Sequence, residues 1–216
     1  MRIFTTFGVM ERLKVFGNIP ITTAAIASLY PELVSKNQKV AELKKKGVLI
    51  RLKKGMYLLE PKFSGKTISE LLVANVLYGP SYLSMESALW FYGLIPEAVF
   101  NHTSITTKHS RNFTTPFGTF RYLNASPAYT SIGVQSVVDG DNAFIIARPE
   151  KALCDLIVYT PYLNLRYRRE LLTYLEDDIR FDMDAFYAFR PDTFDAVASL
   201  GKKSNMLRGI AKLLKS

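Results

Sequence analysis

The sequence predicts an α+β protein, with an N-terminal winged helix-turn-helix followed by a mixed α+β region whose C-terminal part is helical. Three observations predict it. Residues 20–59 hold two helix-like segments parted by a proline, then two strand-like runs around Lys53-Lys54-Gly55. Residues 99–147 carry strand-like runs punctuated by turns, and about the last sixty residues carry helical spacing. The formal charge of +9 is unevenly placed: residues 1–62 hold twelve Lys or Arg against four Asp or Glu, a net of +8, and residues 63–216 hold sixteen against fifteen, a net of +1. A basic excess confined to the segment patterned as a helix-turn-helix is what a phosphate-neutralising surface requires.

Taken in order, residues 1–17 read as an amphipathic helix that packs on the reader through Phe4, Phe7, Met10 and Val15 or Phe16, ended by Gly17-Asn18. In Ile21-Thr22-Thr23 a threonine can cap a short helix with Ile26 and Leu29 on its apolar face, and Pro31 breaks that helix. Ser35 starts a second helix, with Gln38 at the spacing of a capping box. Val40 and Leu43 form its buried stripe, and Gly47 fits the position just past its C-terminus. The runs 48–52 and 56–59 then form a hairpin whose two tip lysines project. Residues 61–66 read as a linker, placing a domain boundary near residue 64, with domains over 1–63 and 64–216.

Beyond it, Thr67 caps a helix to Leu77, stopped by Gly79-Pro80, and Ser84 opens an aromatic helix to Gly93 in which Trp90 fills the core. Strands are expected over 99–107, over 113–122 around the turn Pro116-Phe117-Gly118, and over 129–138 and 143–147 around Asp139-Gly140-Asp141-Asn142. Pro149 begins a helix through Val158, and helices follow over 165–175, 184–189, 192–200 and 205–214.

The composition excludes several classes. Cys154 is the only cysteine, so neither an intrachain disulfide nor a cysteine-based zinc site is expected, and its apolar setting predicts a buried, inert thiol. No apolar run approaches the roughly 18–20 residues of a membrane span, and the N-terminal run lacks a cleavage site, so a cytoplasmic protein is expected. No phosphate-binding glycine loop, nucleophile elbow or His-Glu-x-x-His motif occurs. His102 and His109 read as surface residues. Glu150, Lys151 and Asp155 invite a nuclease reading, but adjacent Glu and Lys side chains diverge and cannot easily share a metal and a water. Neither an enzyme nor a cofactor or metal is expected.

The stretch Ser81 to Pro96 resembles the aromatic helix of the AbiEi-type antitoxins of abortive-infection, type IV toxin-antitoxin systems. Residues 115–122 and 147–156 resemble that family too, as does the reader through Arg51-Leu52-Lys53-Lys54-Gly55-Met56-Tyr57-Leu58, so that roughly residues 5–160 match in order. The resemblance implies a transcriptional autorepressor that binds inverted repeats upstream of its own operon. It also implies a C-terminal domain that counters a co-encoded nucleotidyltransferase-like toxin.

On this reading the Ser35-initiated helix enters the major groove. Lys36, Asn37 and Lys39 lie near its N-terminus, where base contacts concentrate, and Asn37 or Gln38 suits an adenine edge. Lys44, Lys45, Lys46 and Arg51 would sit on phosphates, and Lys53 and Lys54 on the backbone or minor groove. The tail, residues 202–216, adds five basic residues and no acid, against a net of −4 over 63–201. The chief rival reading keeps the winged reader but gives the aromatic-rich C-terminal core a small ligand to sense.

Overall fold

Backbone accounting explains the N-terminal elements. In the computed structural model, which describes residues 11–31, 35–97 and 100–215, residues 11–14 are helical and bury Leu13 completely. Phe4, Phe7 and Met10 lie outside the described residues. Phe16 packs inward, whereas Val15 is 77% exposed and is no part of the core. Strand β1 (Ile21–Thr22) leads directly into α1 (Thr23–Ser28), where the Thr22 hydroxyl accepts a hydrogen bond from the Ala25 N–H and so satisfies one orphan donor. Helix α2 (Lys36–Lys45) starts differently: Ser35 occupies the cap position but makes no side-chain cap, so the expected capping box does not form. Its other end is closed as expected. Gly47, at φ +66°, donates to the Lys44 carbonyl and Val48 donates to that of Leu43, the paired bonds of a Schellman motif.

That turn delivers the chain into β2 (Leu49–Lys53), which pairs antiparallel with β3 (Met56–Leu59), and β3 pairs on its other side with β1. The order β1-β3-β2 gives a small sheet with both faces in use. Val48, Leu49 and Leu59 join Leu13, Ile26, Tyr30, Val40 and Leu43 in one apolar cluster. Leu52, Met56 and Leu58 belong instead to the larger cluster built by the rest of the chain. Residues 61–66 are therefore not a bare linker: Pro61–Ser64 forms a short helix, α3, started by proline.

Helix α4 (Glu70–Leu77) is capped by Ser69, not Thr67, with the Ser69 hydroxyl accepting from Leu72 N–H. The second sheet has the order β6-β7-β5-β4-β9-β8, formed by Arg111–Thr115, Gly118–Asn124, Asn101–Thr106, Ser81–Leu83, Asn142–Ala147 and Val134–Asp139 respectively. Pairings β5–β7 and β4–β9 are parallel and the rest antiparallel. The two expected hairpins are present. Tyr129, however, lies in a short helix, α6 (Pro127–Thr130), and β8 begins only at Val134. Helices α5 (Met85–Phe91) and α7 (Pro149–Tyr159) pack on each other beside this sheet. Trp90 is 42% exposed, unlike the buried Ala88 and Leu89 before it on α5, and does not fill the core. The C-terminal region adds α8 (Arg168–Thr173), a π-helical turn (Tyr174–Asp178), α9 (Met183–Tyr187), α10 (Asp192–Ala198) and α11 (Ser204–Leu214). Helix α10 stacks on α7, and α11 stacks on α10. The chain is thus α+β with two sheets, and no helix among the described residues is long and apolar enough to cross a membrane.

Candidate nucleic-acid interface

Helix α2 presents two stripes outside its buried face. Asn37, Ala41, Lys44 and Lys45 recur at helical spacing and are all exposed. On the flank, Lys39 and Lys46 both donate to Glu42, at 3.0 and 2.7 Å. The Lys46 and Lys39 bonds hold the Glu42 carboxyl below its usual range. These two lysines were expected to face DNA with the others; the structure gives them an internal carboxylate, because spacings of three and four on a helix bring side chains together. The Lys36 backbone opens α2, and its side chain lies outside the described residues.

The hairpin corrects the expectation for its tip. Between Arg51 and Lys53 the β2–β3 register shifts by a residue, a bulge that re-aims the next side chain. Lys53 turns toward the body, where its ammonium donates to the Leu77 carbonyl at 2.5 Å and lies 5.3 Å from the Phe113 ring and 5.9 Å from Tyr78. Burial lowers its pKa first, and the neighbouring Lys108 and Arg111 charges add to the shift. Lys53 does not project. Lys54 does, beside a tip tied back to α1 by a bond from Thr23 N–H to the Gly55 carbonyl. Arg51 is exposed on β2. Among the described residues, no ion pair engages Lys44, Lys45, Arg51 or Lys54.

Three polar ties fix the N-terminal elements to the remainder. Buried Asn18 donates to the Thr67 carbonyl and to Asn142 Oδ1, both at 2.8 Å, and Lys66 pairs with Asp141 at 3.0 Å. The turn residues of the β8–β9 hairpin thereby hold the chain on either side of the small sheet.

A second polar cluster escaped the sequence reading. Lys151 and Asp155, four residues apart on α7, are both fully buried and bond at 2.5 Å. The Asp155 carboxylate also accepts from Ser84 and Tyr129 hydroxyls at 2.6 Å and from Tyr82 at 3.1 Å. Burial pushes the Lys151 ammonium down against the opposing pull of Asp155, and it pushes both phenols and the Cys154 thiol up. Glu150 is not in this network. Every acceptor site on Asp155 is thus used by a buried donor, an arrangement that ties β4, α6 and α7 together. His102 is likewise not a surface residue: it is buried, stacked on Phe120 and bonded to Glu70 at 2.7 Å, while His109 is exposed. Among the described residues, no group of three His, Cys, Asp or Glu side chains could hold a metal ion.

No protein-family model matches the chain, and no curated protein matches it. A solved structure, that of the RV2827C protein from Mycobacterium tuberculosis, is similar in fold, with a TM-score of 0.52 at 13% identity over 99% of this chain and 82% of that one.

Proposed function

We propose that the chain is a DNA-binding autorepressor that also counters a co-encoded nucleotidyltransferase-like toxin. In this reading α1 and α2 are a helix-turn-helix, the hairpin is a short wing, and residues 1–63 read DNA while residues 64–216 carry the antitoxin role. The observation that carries the DNA half is the exposed stripe of α2 together with exposed Arg51 and Lys54 on the hairpin, four cations with no ion-pair partner among the described residues. Asn37 offers the amide that pairs with adenine, and the small exposed Ala41 lets the helix seat closely or meet a thymine methyl. The antitoxin half is supported by the resemblance of residues 81–96, 115–122 and 147–156 to AbiEi-type antitoxins.

Fluorescence anisotropy on the chain's own upstream DNA, against scrambled DNA over a salt series, tests the first half. Preference for the native DNA with a steep salt slope is expected. Lys44→Glu with Lys54→Glu should weaken both complexes and flatten the slope by about one per lost phosphate contact. Equal, weak binding to both DNAs would overturn the repressor reading. Rescue of growth arrested by the neighbouring toxin tests the second half separately.

A further inference from the structure

Residues 165–171 and helix α11 line a half-open cavity of about 410 Å³, the size range of small-ligand sites. Its apolar wall is Leu165, Leu171, Met206 and Leu213. Its polar wall includes Arg166, Arg168 and Lys212, and no acidic side chain lines it. Among the described residues none of these three cations has an ion-pair partner. Three unmatched charges beside an apolar wall suit neither a neutral ligand nor a bare inorganic anion. They suit a molecule with one anionic head and one apolar body.

Gly209 is an independent sign. It sits in the interior of α11, where glycine costs about 0.5–1 kcal/mol relative to alanine. A Cβ there would meet nothing within 4 Å, so packing does not require glycine. The residue lines the cavity, and the missing side chain leaves it open.

We infer that this cavity binds a small amphiphilic organic anion, its carboxylate or phosphate head held by Arg166, Arg168 and Lys212 and its apolar body laid against Leu171, Met206 and Leu213. The inference stands apart from the DNA-binding reading, since the cavity shares no residue with that face. The full-length chain titrated with 8-anilinonaphthalene-1-sulfonate, by fluorescence and calorimetry, tests it. One saturable site per chain is expected, with N-phenyl-1-naphthylamine, which lacks the sulfonate, bound at least about tenfold more weakly. Arg168→Gln with Lys212→Gln should cost about tenfold or more, and Gly209→Met, whose Cβ meets nothing within 4 Å and whose longer side chain is aimed at filling the cavity, should abolish the site without lowering the thermal melt. Displacement by decanoate or by decyl phosphate identifies the head group. Non-saturable binding, binding retained by Gly209→Met, or equal displacement by neutral decanol would overturn the inference.

Discussion

Asp155 accepts four hydrogen bonds inside the molecule, and three of them come from residues 26 to 73 positions away. A buried ion pair adds little net stability, but stripping one partner leaves an unmatched charge that costs about 3–5 kcal/mol. Asp155→Ala should therefore lower the unfolding free energy by roughly that amount in urea denaturation. The double change Lys151→Met with Asp155→Leu should restore only the part due to the unmatched lysine, because the Tyr82, Ser84 and Tyr129 hydroxyls still lose their acceptor, and a double variant as unstable as the single would show that those hydroxyls, not the charge, set the loss. The spacing of four between Lys151 and Asp155 was legible in the sequence. Their burial was not, because the three hydroxyls that satisfy the carboxylate sit on β4, on α6 and at the start of α5, and only the tertiary fold brings them together. Lys53 carries a second prediction at this scale. A lysine with a lowered folded pKa binds fewer protons folded than unfolded in the window below its ordinary value of about 10.4, so it makes stability rise with pH there. Lys53→Met removes that gain, and the stability difference between the two proteins should shift toward the wild type as pH rises toward that ordinary value. A difference that stays flat across that rise would mean that Lys53 is ordinarily solvated.

Among the elements, α2 shows what local chemistry announces and what it hides. Gly47 and the hairpin were readable because a Schellman turn and a tight turn are each settled within six residues. The bulge that swings Lys53 inward was not readable, since alternation along β2 gives no sign of a one-residue slip. The Glu42 carboxylate was hidden in plain view: counting lysines by segment missed that Lys39 and Lys46 flank one acid at helical spacing. On the proposed reading, Glu42→Gln releases both lysines. DNA affinity should rise and the salt slope should steepen by about one to two. Unchanged binding would place this flank of α2 away from the phosphates.

For the whole molecule, the small sheet is the joint. Its hairpin gives Leu49 and Leu59 to one apolar cluster and Leu52, Met56 and Leu58 to the other, while Asn18 and Lys66 reach the β8–β9 turn. The charge split at residue 62 marked where the basic excess of the sequence ends, but composition does not reveal that packing runs through the same point. The parallel pairings β5–β7 and β4–β9 were equally out of reach, since they join strands that are not neighbours in sequence. One cooperative thermal transition is expected, with calorimetric and van't Hoff enthalpies in agreement. An excised fragment of residues 1–66 would expose Leu52, Met56 and Leu58 and should be markedly less stable than the same residues in the full chain. Two resolved transitions, or a fragment as stable as the parent, would show that the joint carries no cohesion.

A hairpin buried on both faces also governs how this protein can diverge. On the proposed reading, Lys54 and the exposed positions of α2 are free to drift toward a new DNA sequence, because little packs on them. The residues behind them answer to two neighbours at once, so a change suited to one cluster is vetted by the other. A reader transplanted onto a foreign body would arrive with Leu52, Met56 and Leu58 uncovered and Lys53 without its carbonyl. If the outer face reads DNA as proposed, recognition would be inherited together with the body it rests on, and a new specificity would be reached by substitution on that face rather than by exchange of the domain.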